Sequence, residues 1–277
     1  MSFFNFKKEK IVEPIVHEQE ENLVLYDGAH ILIECKNVSL YNNAIVLEAT
    51  DCDFASVSGK SKIQILTGGQ ISSVSGKAKI GIIKQGRITK VNGNVKITTI
   101  NDCDIDYVSD NVHIGTMNSG SIKFLEGNSE IECLNSGKIM FVRDRAKIGT
   151  MTNGNIEALL DNAQIQTLNH GKIGYMLDKA YIGTFNLGDV MECCDEAEVT
   201  TINGGNISEM LGSSIVCQLI TGKVKTKKGS AVILYAQKTP RGAKQNADKK
   251  HKVKKVPEVE QLTVSAEIKP STDMETK

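Results

Sequence analysis

Ala146-Lys147-Ile148-Gly149-Thr150-Met151 and Gly171-Lys172-Ile173-Gly174-Tyr175-Met176 read alike: small, any, Ile, any, any, aliphatic. The small residue and the Ile are two apart, so on a strand they face the same side. The next aliphatic comes three later, which requires a bend. Helical spacing does not fit this pattern, and β-branched residues recur where strands favour them.

Working outward from these two stretches, the chain falls into lines of 17 residues beginning at Tyr41. Position 6 of successive lines reads Val46, Ile63, Ile80, Ile97, Ile114, Ile131, Ile148, Ile165, Ile182, Val199, Val216 and Ile233. Position 14 runs from Phe54 and Ile71 to Ile207 and Val224, almost entirely in Ile. Positions 9 and 17 are aliphatic in nearly every line, position 4 is often small, and position 12 is Gly from Gly69 to Gly222 with few exceptions. Eleven full lines span 41–227 with no insertion or deletion. The pattern predicts an all-β fold: a single-stranded parallel β-solenoid (β-helix) with 17-residue coils, about twelve of them, stacked about 4.8 Å apart. About six side chains per coil point inward, four large and two small. A coil contour of roughly 56 Å allows a triangle or a flattened two-layer tube, of either hand.

Composition agrees. The 277 residues include 24 Gly but only 4 Pro, and Pro14, Pro240, Pro257 and Pro270 all lie near the ends. A continuous hydrogen-bonded ladder excludes proline from its middle. Trp is absent and aromatics make up 5%, so the core is aliphatic. The expected organisation is a flexible tail over 1–21, an irregular first coil or cap over 22–40, the solenoid over 41–236 and a disordered tail over 237–277. Zero net charge conceals three regions of different sign. The body to residue 236 is acidic, 237–255 carries eight Lys or Arg against one Asp, and 256–277 is acidic again.

Chemistry-bearing motifs are sparse. There is no GxSxG, HExxH or P-loop, and the spacing of calcium-binding rolls is absent. The sequence therefore predicts no enzyme, no catalytic residue, no metal site, no cofactor and no small-molecule substrate. Seven cysteines lack metal-ligand spacing. Cys52 and Cys103 occupy the glycine position 12 and Cys193 the buried position 17, so they read as small apolar fillers in a reducing compartment. Cys133, Cys194 and Cys217 read as more exposed, and His113 and His170 as surface histidines. Asn101, Asn118, Asn135, Asn169, Asn186 and Asn203 share position 10, a ladder able to hydrogen-bond along the rod. Asp110, Asp144, Asp161, Asp178 and Asp195 share position 2, where stacked carboxylates would repel.

Three features point to partners. Tyr107, Phe124, Phe141 and Tyr175 share position 16, interrupted by Ala158. Facing outward they form a partner surface; facing inward they plug a corner. Phe3, Phe4, Phe6, Lys7 and Lys8 have the composition of a membrane-binding tip. Lys249, Lys250, Lys252, Lys254 and Lys255 form a basic run suited to nucleic acid, anionic lipid or an acidic partner.

The plan resembles a bactofilin. That bacterial cytoskeletal family has a short Ile/Val/Gly β-helix between disordered, proline-containing tails, and some members begin with a Phe-and-Lys membrane-binding segment like Phe3 to Lys8. The resemblance implies a self-associating structural or scaffold rod, cytoplasmic or peripheral at the inner face of the membrane. The alternative is a bacterial or phage β-helix module that binds a macromolecule through an exposed face or the basic tail. This rod has about twice the usual number of coils. Its last coils crowd Lys223, Lys225, Lys227 and Lys228 at one end, where lysines on a sheet edge oppose further pairing.

Overall fold

The structure, a computed structural model, describes residues 13–237. It is an all-β parallel β-solenoid of about 13 turns, with twenty-five strands and no helix among the described residues. Each coil contributes a strand from positions 5–9 to one face and a strand from positions 13–17 to the other. Every pairing is parallel and, apart from register shifts in the first coils and at Thr67, joins a residue to its counterpart one coil on. Ile131, Ile148, Ile165 and Ile182 thus lie in one file, and Ile122, Ile139, Ile156 and Ile173 in another. Two strands, Lys62–Val74 and Lys79–Val91, run from one face to the other without a break.

The inward positions are those the repeat marks. Positions 4, 6, 9, 14 and 17 are fully buried through the middle of the rod, and Cys52 and Cys103 are buried at position 12. The three-residue step from Ile148 to Met151 is made by two residues that both face out, Gly149 and Thr150. No coil could bury this stripe alone, so burial comes from the coils above and below.

The corners explain the polar ladders. Asp110, Asp144, Asp161, Asp178 and Asp195 all adopt left-handed backbone, with φ between 55° and 65°. Asx residues tolerate that region better than most. Each carboxylate reaches back one coil and accepts a backbone N–H: from Gly93 (2.9 Å), Gly127 (2.9 Å), Asp144 (3.1 Å), Asp161 (3.2 Å) and Asp178 (3.2 Å). A peptide N–H therefore lies between successive carboxylates and offsets the repulsion expected from stacking them. Asp161→Gly keeps the backbone conformation and loses one hydrogen bond, so it should cost no more than about 1 kcal/mol. Asp161→Val loses the same bond and forces a β-branched residue to positive φ, adding about 1–3 kcal/mol. Paired urea melts of the two variants measure the difference. On the opposite corner Asn118 donates to Asn101 and Asn135 to Asn118, both at 2.8 Å, and the file resumes with Asn186 to Asn169 and Asn203 to Asn186. Thr152 supplies the break.

The ladder reaches further back than the expected tail and cap. The strand Ile15–Glu18 pairs with Ala29–Ile33, and Val24–Leu25 with Val38–Leu40. Residues 15–21, assigned from the sequence to a flexible tail, thus belong to the first coil. The physical reason is a change of step. Ile15 pairs with His30 and Val24 with Ser39, fifteen residues apart. Ala29 pairs with Ile45, and after a one-residue shift Ile31 pairs with Glu48. Shorter coils fall out of a 17-residue register while keeping the same ladder, which accounts for the turn beyond the twelve expected.

Candidate interaction surfaces and the two ends of the rod

Position 16 faces outward. Tyr107, Phe124, Phe141, Ala158 and Tyr175 form one file by strand register. Tyr107 and Tyr175 are each 40% exposed. The first three rings stack, with centroids 5.0 Å apart at 10° for Tyr107–Phe124 and 5.3 Å at 15° for Phe124–Phe141. Strand spacing imposes this distance, which lies in the favourable range for offset stacking. Lys123 Nζ and the Arg143 guanidinium lie 5.5 and 5.1 Å from the Phe124 centroid. Glu126, one coil below Arg143, holds that guanidinium with a charge-assisted bond. Ala158, only 6% exposed, interrupts the stack, and Tyr175 stands apart from it beside exposed Met191. Two shallow open depressions lie alongside. One is lined by Arg87, Asp104, Asp106, Lys123 and Lys138, the other by Asn155, Glu157, Lys172, Tyr175 and Met191. Both carry charges of each sign.

Phe3, Phe4, Phe6, Lys7 and Lys8 lie outside the described residues, as do Lys249, Lys250, Lys252, Lys254 and Lys255. Among the described residues no helix is long and apolar enough to cross a membrane, and no group of three or more His, Cys, Asp or Glu is placed to hold a metal.

The thiols divide by position. Cys35, Cys52, Cys103 and Cys193 are buried, whereas Cys133, Cys194 and Cys217 are partly exposed, and all seven are free. Burial pushes the Cys103 and Cys193 thiols up to about 12 and the Cys52 thiol up to about 11. Burial also raises Cys194 and Cys217. Only the thiolate alkylates readily. Iodoacetamide at pH 8 should therefore label Cys133 well before Cys52, Cys103 or Cys193 in the folded chain, and denaturant should equalise them, as peptide mass mapping would read. Linkage gives the accompanying sign. These folded-state values lie above the unfolded value of 9.0, so the unfolded chain releases protons first. Stability is unaffected by these thiols below pH 9 and falls as pH rises from 9 towards 12.

Sequence reasoning missed the N-terminal mouth of the bore. His30 sits in the position-6 file above Val46, 4% exposed, and His17 lies one coil out, over Leu32. The rings meet edge to edge, His17 Nε2 to His30 Nδ1 at 3.2 Å with centroids 5.3 Å apart. Glu20 accepts from His17 Nδ1 at 3.0 Å, and the Asp27 carbonyl accepts from His30 Nε2 at 2.9 Å. A polar network thus covers the apolar bore at the first coil of the described residues. At the other mouth Lys227 takes the position-17 place above Met210 and is exposed. His113, on the outer face, is flanked by Glu130 (3.6 Å) and Glu132 (3.1 Å), and His170 is exposed.

The end strands are unpartnered on one side. Among the described residues Ile15–Glu18 and Val24–Leu25 each pair with one neighbour, as do Lys223–Lys227 and Val232–Ala236. Large apolar side chains are exposed beside these edges: Ile15, Val16, Val24 and Tyr26 at the N-terminal end, Val232, Leu234 and Tyr235 at the C-terminal end.

Comparison of the chain with protein-family models, with curated proteins and with solved structures finds no match.

Proposed function

We propose that this chain is a non-enzymatic structural rod, a cytoplasmic scaffold that associates with copies of itself and docks at a membrane surface through its N-terminal segment. The observation that carries this reading is the 17-residue coil-to-coil register from Ala44 to Ala231, which shifts only locally at Thr67 and interposes no long loop that would wall a cleft. Such a body is suited to present repeated contacts at fixed spacing. The resemblance to bactofilins leads to the same role, and seven free thiols fit a reducing compartment. Small-angle scattering and negative-stain electron microscopy of the full chain, with and without anionic vesicles, test it. Rods about 60 Å long that join into longer or vesicle-bound assemblies are expected. Single rods at every concentration and with every lipid would remove the scaffold reading.

A second reading, a module that binds a macromolecule, is favoured by the stacked Tyr107, Phe124 and Phe141 with Lys123 and Arg143 over the central ring. Aromatic and Arg side chains are enriched at binding hot spots. Phe124→Ser with Phe141→Ser should then abolish partner capture while leaving rod length unchanged, whereas capture that persists would remove this face from the account.

A further inference from the structure

Between Asp53 and Asp102 the chain carries eight Lys or Arg and no Asp or Glu. The file at position 5 begins Lys62, Lys79, Lys96, so like charges meet on neighbouring strands about 4.8 Å apart. Like charges placed directly opposite destabilise a sheet. Further along, the same file sets Glu130 between His113 and Lys147. Lys60 and Lys77 stand two residues before Lys62 and Lys79, across buried Ser61 and Ala78, and so face outward beside them. All five lysines are exposed, and among the described residues none of them meets an acid.

The backbone at this corner also differs from that of the later coils. Position 2 holds Gly59, Gly76 and Gly93 here, with φ of 73°, 71° and 82°. Wherever position 2 is Asp, its carboxylate accepts the N–H of the position-2 residue one coil back, beginning with Asp110 on Gly93 at 2.9 Å. Gly76 and Gly93 offer no such oxygen to the N–H groups of Gly59 and Gly76, and these two have no acceptor among the described residues. The Asp file therefore marks where an anionic oxygen sits on this corner. At Gly59 and Gly76 the same donors are set among lysines and can take that oxygen from an outside anion.

We propose that this corner binds the phosphate backbone of a nucleic-acid duplex. Phosphate oxygens take the place that Asp carboxylates hold in the later coils, and Lys60, Lys62, Lys77, Lys79 and Lys96 neutralise the charge around them. A duplex is the densest linear array of such charge, about one per 1.7 Å. Lysines act as point charges and read phosphate rather than base edges, so binding is indifferent to sequence. The chain has no aromatic residue from Ala55 to Asp106, hence no platform on which unpaired bases could stack. A bilayer suits the corner less well, because no large apolar side chain is exposed between Tyr41 and Tyr107 to enter the headgroup layer. The site is separate from the aromatic file and stands whether or not the rods assemble.

Fluorescence anisotropy of a labelled short DNA duplex tests this. The parent is the full chain with Lys249, Lys250, Lys252, Lys254 and Lys255 replaced by Gln, so that the basic run is not read in place of the corner. It should bind, and log affinity should fall against log salt with a slope of about −4 to −5, since each neutralised phosphate contributes about 0.9. Lys62→Gln, Lys79→Gln and Lys96→Gln together should flatten that slope by about 3 and weaken binding at least about tenfold. Gly76→Asp with Gly93→Asp sets carboxylates on the two N–H groups, as in the later coils, and should also weaken binding at least about tenfold. Gly212→Asp with Gly229→Asp adds the same charge to the same corner far along the rod and should change binding by no more than about twofold. Thermal melts accompany each variant; should a glycine variant melt early, the lysine variant, confined to exposed side chains, carries the test. A lysine variant that binds like the parent overturns the site, as does a distant Gly pair that weakens binding as much as the near one. A parent that ignores the duplex but sediments with phosphatidylserine vesicles overturns the nucleic-acid assignment in favour of a membrane surface, and one that binds neither overturns the proposal altogether.

Discussion

Ile148→Lys is expected to destroy the cooperative melt of the rod. Ile148 is fully buried in the position-6 file between Ile131 and Ile165. A lysine there has no acid to meet: the inward positions of its own coil and the two beside it are Ser129, Leu134, Ala146, Met151, Ala163 and Leu168. An ammonium buried without a partner costs several kcal/mol even after relaxation, about 5 or more in so apolar a place. That approaches the whole stability of an ordinary domain. The break also lies mid-array, and a solenoid holds together through nearest-neighbour interfaces. Differential scanning calorimetry should therefore show two separated, weaker transitions where the parent shows one. Lys147→Gln, one residue away and outward, should stay within about 0.5 kcal/mol of the parent. An Ile148→Lys chain that melted like the parent would mean that the file does not face inward.

Gly137→Val is the second large effect. Gly137 has φ of 114°, a conformation that β-branched residues avoid, and an added Cβ would lie 2.7 Å from the Gly120 carbonyl oxygen and 3.0 Å from Met117 Cε. The backbone oxygen cannot step aside, because Gly120 belongs to the strand Gly120–Leu125 that runs through the ladder. Strain and displaced ladder bonds together should cost at least about 3 kcal/mol, read as a lower urea midpoint. Gly212 makes the contrast. It occupies position 2 with φ of 63°, where five other coils carry Asp at nearly the same angle. An added Cβ there would lie 2.9 Å from the Asp195 backbone N, an approach that the stacked Asp residues of this file already make, so Gly212→Asp should cost about 1–2 kcal/mol, less than Gly137→Val. Equal losses at the two sites would show that the corners are not specialised.

These contrasts show which parts of the fold are legible in the sequence. Side chains that repeat every 17 residues declare their side of the sheet because each is tested against eleven others. Position 16 resists the same reading, because two residues intervene between Ile139 and Val142 and alternation alone does not say which of them turns out. Both do. The first coils escape because their steps of fifteen and sixteen slide out of register, and with them the inward role of His17 and His30. The Asp file looked repulsive because its compensating donors are backbone N–H groups, invisible in a string of side chains.

The 17-residue repeat also bears on how such a chain changes length. Duplicating or deleting any 17-residue line between 41 and 227 leaves every file intact and moves the ends apart or together by one strand spacing, about 4.8 Å. Removing half a line instead would swap the faces and break all the files beyond it. The gene for this protein is in effect a ruler with graduations of 51 nucleotides, and selection on the distance between its two ends can act only in whole marks.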